Sequence, residues 1–143
     1  MDNDLVMTQQ VIIPSDVRSA MEGVIPAVVA TSSSDGVPNI TFISRLYKID
    51  EAHVGLSYQF MNKTWRNLTE NTACTAFITF ADTMAMWKLK LQFVQEVKEG
   101  PVFEEMEMQL MALATPHHID FSLHAALICR IVAVEPVFAG ANI

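Results

Sequence analysis

Between Val24 and Thr31 the chain is almost continuously apolar and rich in β-branched residues, which predicts a buried strand. Ser32, Ser33, Ser34, Asp35 and Gly36 follow, and the Asp-Gly pair is a hairpin-turn signal. The next segment alternates: Ile40, Phe42 and Leu46 fall on one side, Asn39, Thr41 and Arg45 on the other. This period of two predicts a second strand whose buried face carries Ile40, Phe42 and Leu46. After a turn near Asp50 and Glu51, Val54, Leu56 and Tyr58 alternate with His53, Gly55 and Ser57 in a third strand. Cys74, Ala76, Ile78 and Phe80 alternate with Thr75, Phe77 and Thr79 in a fourth. The fifth has the cleanest pattern, with Trp87, Leu89, Leu91 and Phe93 opposed to Lys88, Lys90 and Gln92. A last strand over Ser122 to Glu135 sets Leu123, Leu127, Cys129 and Ile131 on one face.

Three segments break this alternation with helical signals. Ser15 can cap a short helix over Asp16 to Glu22, stopped by Gly23. Asn62 can cap a second over Asn62 to Asn71, where Trp65 and Leu68 sit three apart. Gly100 and Pro101 open a third, from about Val102 to Ala114, with Phe103, Met106, Leu110 and Leu113 as its apolar stripe and Glu104, Glu105 and Glu107 as its wet face. Methionines at that spacing read as core. The sum is six strands with short helices between them, joined mainly by tight turns. That is a mainly β, mostly antiparallel sandwich or barrel.

Length and charge narrow the function. The 143 residues suit one domain, with residues 1–13 as an N-terminal arm. Hydrophobic residues make up 51% and charged residues 17%, a composition that supports a packed fold. A formal net charge of −7 argues against broad binding to nucleic acid, which needs clustered Lys and Arg. The first ten residues carry Asp2 and Asp4 and no basic leader, and no apolar run reaches the ~18 residues of a membrane span, so a cytoplasmic location is expected. Cys74 and Cys129 lack CxxC spacing and lie in apolar runs, which reads as two buried free thiols.

The strand-to-helix junction from Ser57 through Asn71 holds the strongest candidate chemistry. Lys63 and Thr64 fall in the first helical turn, where free backbone N–H groups and the helix dipole favour an anion. Asn67 stands four residues from Lys63 and three from Thr64, so one helix face can carry all three. A phosphate group is the natural guest, although the same spacing fits an ordinary capped surface helix. Arg45 and Ser57, on the polar sides of the second and third strands, can extend that site if the strands pair. His117 and His118 read as a loop pair. His53 and His124 stand alone, and metal-ligand spacings such as HxxxH are absent, so no metal site is expected.

Two blocks carry a family resemblance. Ile25-Pro26-Ala27-Val28-Val29-Ala30-Thr31 with Asp35-Gly36-Val37-Pro38-Asn39 resembles an opening hairpin with a DG-x-P turn. Ser57-Tyr58, then Asn62-Lys63-Thr64-Trp65-Arg66-Asn67-Leu68 and Glu70-Asn71, resembles an N-K-T-x-R-N-L-x-x-N block. In this order and over roughly Ser15 to Glu135, they are similar to the pyridoxamine 5′-phosphate oxidase-related FMN-binding proteins. The resemblance implies a split β-barrel, a homodimer with FMN between subunits, and a small-molecule redox substrate. It implies that Lys63, Thr64 and Asn67 hold the FMN phosphate, and Asn62 is a further cofactor-binding candidate. Ile43, Ser44, Arg45, Ser57 and Tyr58 would line the ring and ribityl region. The chain departs from relatives where Leu91 follows Trp87-Lys88-Leu89-Lys90 in place of glycine. It also lacks the basic substrate-phosphate residues near the C-terminus, where Arg130 stands alone, so vitamin B6 oxidation is not implied. Two other cofactors fit the same barrel: a deazaflavin, or a haem with His53, His117, His118 or His124 as axial ligand in a non-catalytic carrier or sensor.

Overall fold

The computed structural model describes residues 13–22, 24–58, 62–114, 116 and 122–141. Among these residues ten elements follow in chain order: α1 (Ser15–Ala20), β1 (Ala27–Ser32), β2 (Pro38–Ile43), β3 (Tyr47–Lys48), β4 (His53–Tyr58), α2 (Asn62–Glu70), β5 (Ala73–Phe80), β6 (Ala85–Val97), α3 (Pro101–Ala114) and β7 (Ala125–Phe138). All the strands join one sheet in the order β2-β1-β5-β6-β7-β4-β3, and every pairing is antiparallel. The sheet has seven strands where six were expected. The addition, β3, pairs only Tyr47 with Gly55 and Lys48 with Val54, too short a run to leave a periodic signal.

The long pair β6 and β7 forms the spine, and its register slips at Met86/Trp87, Lys90/Leu91 and Phe93/Gln95. Each slip adds local twist and bend, which curls the sheet into a half-barrel. The concave side packs Val29, Leu56, Ala76, Leu89, Leu127 and Cys129, all fully buried, beneath Val17 of α1 and Leu68 of α2. A second, smaller core lies on the other side of the β4–β7 pair. There Met106 and Leu110 of α3 pack with Tyr47, Leu123, Ala126 and Ile128. Gly55 belongs to this face by necessity: a Cβ at that position would stand 2.7 Å from the Met106 sulfur. Ile13, expected in the N-terminal arm, is buried in the main core; residues 1–12 and Gly23 lie outside the described residues.

The Asp-Gly hairpin forms as its sequence implies. The Gly36 N–H donates to the Ser33 carbonyl at 3.0 Å, and Gly36 adopts φ +82°, which favours glycine. Pro101 is the first residue of α3, as expected. Two helix starts move by one residue. Pro14 stands at the N-cap of α1 with no side-chain cap bond, so Ser15 is the first helical residue and not the cap. Asn62 is likewise the first residue of α2.

The expected buried face of β2 is reversed. Ile40 and Phe42 are 70% and 74% exposed, whereas Asn39 and Thr41 are half-buried and Ile43 is buried. The cause is pairing. Asn39, Thr41 and Ile43 stand opposite Thr31, Val29 and Ala27, the three β1 residues that point inward. Directly paired residues share a face, so β1 dictates which side of β2 is inside. Leu46 still reaches the core because the chain bends at Ser44 and leaves the alternation.

Candidate functional site

Helix α2 follows β4 after a short connection, and the Tyr58 hydroxyl donates to Asn62 Oδ1 at 2.6 Å. That bond ties the helix tip to the strand end. Tyr58 also packs against Trp65, ring centroids 6.1 Å apart, and against His124 at 4.8 Å. The Trp65 indole N–H donates to the Glu96 carboxylate of β6, which fixes the other side of the first turn.

The expected phosphate face divides in two. Lys63 is exposed at the tip and forms no ion pair among the described residues. Thr64 and Asn67 are buried at 1% and 3% exposure and turn toward the β1–β2 hairpin. The Thr64 hydroxyl accepts a bond from Asn39 Nδ2 at 3.2 Å, which leaves its own proton free to donate. Asn67 Nδ2 donates to Thr31 Oγ1 at 3.1 Å. Thr31 and Asn39 are therefore part of this junction; both stand in the opening-hairpin resemblance, at the strand end and after the DG-x-P turn, but neither reads as a site residue in the sequence. Replacing Asn67 with Ala strands the buried Thr31 hydroxyl. It should cost roughly 1–3 kcal/mol in urea unfolding, and Thr31→Val in the same background should recover part of that loss. A negligible cost for Asn67→Ala would show that this bond does not hold the helix down.

The second and third strands expected from sequence, β2 and β4, do not pair: Ile43 ends β2, Ser44 and Arg45 lie in the β2–β3 connector, and Ser57 and Tyr58 end β4. Tyr47 pairs with Gly55, so the connector before β3 runs alongside the end of β4, where Ser57 lies. Along this stretch four buried polar atoms have no protein partner: Ser44 Oγ, Arg45 Nε, Tyr47 Oη and Ser57 Oγ. Among the described residues one more such atom occurs, Arg18 Nε. The Arg45 guanidinium lies 5.3 Å from the centre of the Tyr47 ring. Burial raises the Tyr47 phenol above its ordinary pKa, against the opposing pull of the Ser44 hydroxyl, close to it but without good hydrogen-bond geometry, and of the Arg45 charge. Tyr47 carried no sequence signal for a site, because its burial depends on α3 packing over β4.

The remaining candidates are structurally committed. Cys74 and Cys129 are free and buried. Contact with Cys74 and then burial push the Cys129 thiol far above its ordinary range. His53 Nδ1 faces Asp50 Oδ1 at 2.8 Å. His124 is exposed, and its backbone N–H donates to the Tyr58 carbonyl. His117 and His118 lie outside the described residues. Among the described residues no group of three or more His, Cys, Asp or Glu side chains converges on a metal position, and no helix is long and apolar enough to cross a membrane.

No family profile matches the chain, and no curated protein matches it by sequence. Solved structures do match. An FMN-binding protein from Syntrophomonas wolfei subsp. wolfei superposes with a TM-score of 0.75 at 22% identity, covering 85% of this chain and 84% of that one. An F420 reductase gives a TM-score of 0.64 at 14% identity over 86% of this chain and 98% of its own. The heme storage protein HutZ from Vibrio cholerae gives 0.57 at 10% identity, covering 90% and 98%. The chain thus has the split-barrel fold shared by the pyridoxamine 5′-phosphate oxidase-like proteins.

Proposed function

We propose that this protein binds FMN and acts as a flavin-dependent oxidoreductase on a small organic substrate. The observation that carries the reading is the set of buried polar atoms without a well-formed hydrogen bond on Ser44, Arg45, Tyr47 and Ser57. Each such atom costs roughly 1–3 kcal/mol when left unpaired. A ligand edge that both donates and accepts hydrogen bonds relieves that cost, and a flavin ring with its ribityl chain has such an edge. Ser57 is followed, on the opposite face of β4, by Tyr58, whose bond to Asn62 brings the α2 tip to the end of the same strand. At that tip the free N–H groups, the unpaired Lys63 and the spare Thr64 proton favour a phosphate. Asn67 acts through the hairpin it anchors.

Bound FMN supplies the hydride or electron transfer. The chain's own part is to hold the phosphate at Lys63 and Thr64, to orient the ring along Ile43, Ser44 and Ser57, and to shield its edge with Tyr58. A homodimer with the cofactor between subunits belongs to the same proposal. Its support is the outer face of β2, where Ile40 and Phe42 are exposed beside Val28 and Phe77 of the neighbouring strands. A cytoplasmic location is part of the proposal too, in keeping with two unpaired cysteines.

Titrating the apoprotein with FMN tests the reading: saturable quenching of flavin fluorescence is expected. Lys63→Ala should weaken that affinity by roughly 1.5–3 kcal/mol, the worth of a charged hydrogen bond. No FMN binding by the wild-type protein would sink the proposal, and unchanged affinity in Lys63→Ala would remove Lys63 from the site. A haem carrier is the second reading, favoured by the likeness to the heme storage protein HutZ and by the exposed His124 beside Tyr58. A Soret band in the purified protein would select it. The mass of the extracted cofactor separates FMN from a deazaflavin.

A further inference from the structure

The fifth partnerless atom belongs to Arg18, which lines a cavity that Arg45 also lines. Arg18 of α1, Arg45 of the β2–β3 connector and Lys48 of β3 converge on one cavity of about 170 Å³, floored by Met21 and Leu46 and flanked by Glu22. Three of the chain's nine Lys and Arg side chains thus meet in one hollow of a protein whose net charge is −7. Like charges brought together from separate elements repel unless something negative joins them. Glu51 does so in part: its carboxylate lies 3.2 Å from Arg18 Nη2 and 3.0 Å from Lys48 Nζ. Arg45 makes no ion pair among the described residues and rests its charge against the Tyr47 ring. The Nε–H groups of both arginines are buried and donate to nothing in the protein.

We infer that this cavity is a binding site for a small oxyanion, a carboxylate or phosphate group of a metabolite. Two guanidinium groups with a lysine alongside match the acceptor pattern of such a group, and guanidinium binds oxyanions through directed N–H bonds where an ammonium acts as a point charge. The hydrophobic floor of Met21 and Leu46 excludes water from beneath the anion and strengthens those bonds. Glu22 and Glu51 limit the positive charge, so the site suits one oxyanion group and not a polyanion. The site shares Arg45 with the proposed cofactor site but not Arg18, Lys48 or Glu51, so Arg18→Gln and Glu51→Gln test it apart from any flavin.

The test is an NMR titration of the full chain with inorganic phosphate and, separately, with succinate, at low ionic strength with chloride as control. The Nε–H signals of Arg18 and Arg45 should move saturably with at least one of the two anions, and the stronger binder identifies the source class. Arg45→Gln and Arg18→Gln should each weaken that binding about tenfold or more, as expected for a lost charged hydrogen bond. Glu51→Gln, a change at an exposed position, should tighten binding, since it removes the competing carboxylate. Because Glu51→Gln leaves the core untouched, it keeps the test decisive if an arginine variant folds poorly. Shifts no greater than those from chloride, or binding indifferent to all three substitutions, would overturn the site. Loss of FMN binding with these signals still responsive would reject the flavin reading alone.

Discussion

Truncating Leu89 to Ala should destabilise the protein by roughly 2–5 kcal/mol, the usual cost of a large buried aliphatic side chain removed from a closed core. Leu89 is fully buried at the centre of β6, opposite Ala76 of β5 and Val134 of β7. It therefore stands where the curled sheet is held from both sides, and neither neighbour can move in without shifting a paired strand. Chemical denaturation should show a lower midpoint with an unchanged slope, since the unfolding transition stays whole. Lys90→Ala, one residue away on the exposed face, should change little: its ion pair with Glu135 is exposed on both sides and surface pairs contribute little. A small loss for Leu89→Ala would mean that the concave side is not the stabilising core.

The second large effect is expected at Phe42. Its side chain is 74% exposed in the single chain, so Phe42→Asp should leave the fold and its thermal stability almost intact. If the outer face of β2 is the homodimer contact, the new carboxylate becomes buried without a partner on association. Leaving such a charge uncompensated costs roughly 3–5 kcal/mol. Sedimentation velocity should then show a folded monomer where the wild type is a dimer, with FMN affinity falling in parallel because half of the cofactor pocket is gone. A Phe42→Asp protein that still dimerises and binds FMN as before would move the interface elsewhere. A wild-type monomer that binds FMN normally would remove the dimer from the proposal altogether.

Much of the fold is legible because its signals are local. The alternation of Trp87, Leu89 and Leu91 with Lys88 and Lys90 survives intact in β6, since each residue's facing follows from its immediate neighbour. The Asp35-Gly36 turn, Pro101 at the head of α3 and the α2 helix likewise need only a few adjacent residues. Local pattern misleads where facing depends on a distant partner. Ile40 and Phe42 look like an inward stripe, yet an edge strand takes its orientation from the strand it joins, and β1 presents Ala27, Val29 and Thr31 inward. Ser57 looks like a polar outer position. It is buried because Ala126 opposite it belongs to the core beneath α3.

The site shows the same division. The Lys63–Thr64 helix start was visible in sequence because a helix tip is a local object. Its anchoring through Asn39 and Thr31 was not, since those bonds join residues from separate strands. Arg18 gave no sign of a role from its place in a short helix, and its neighbourhood with Arg45 exists only once α1 lies beside the β2–β3 connector.

By itself the sequence determined most of the strand and helix segments, the Asp-Gly hairpin and the helix start at Lys63 and Thr64, because backbone preference and period-two burial act over a few residues. Tertiary structure alone decided which side of β2 faces outward, which polar atoms are buried without partners, and which cations meet in one cavity. Those depend on sheet register and helix docking, where residues far apart in the chain share one free-energy minimum.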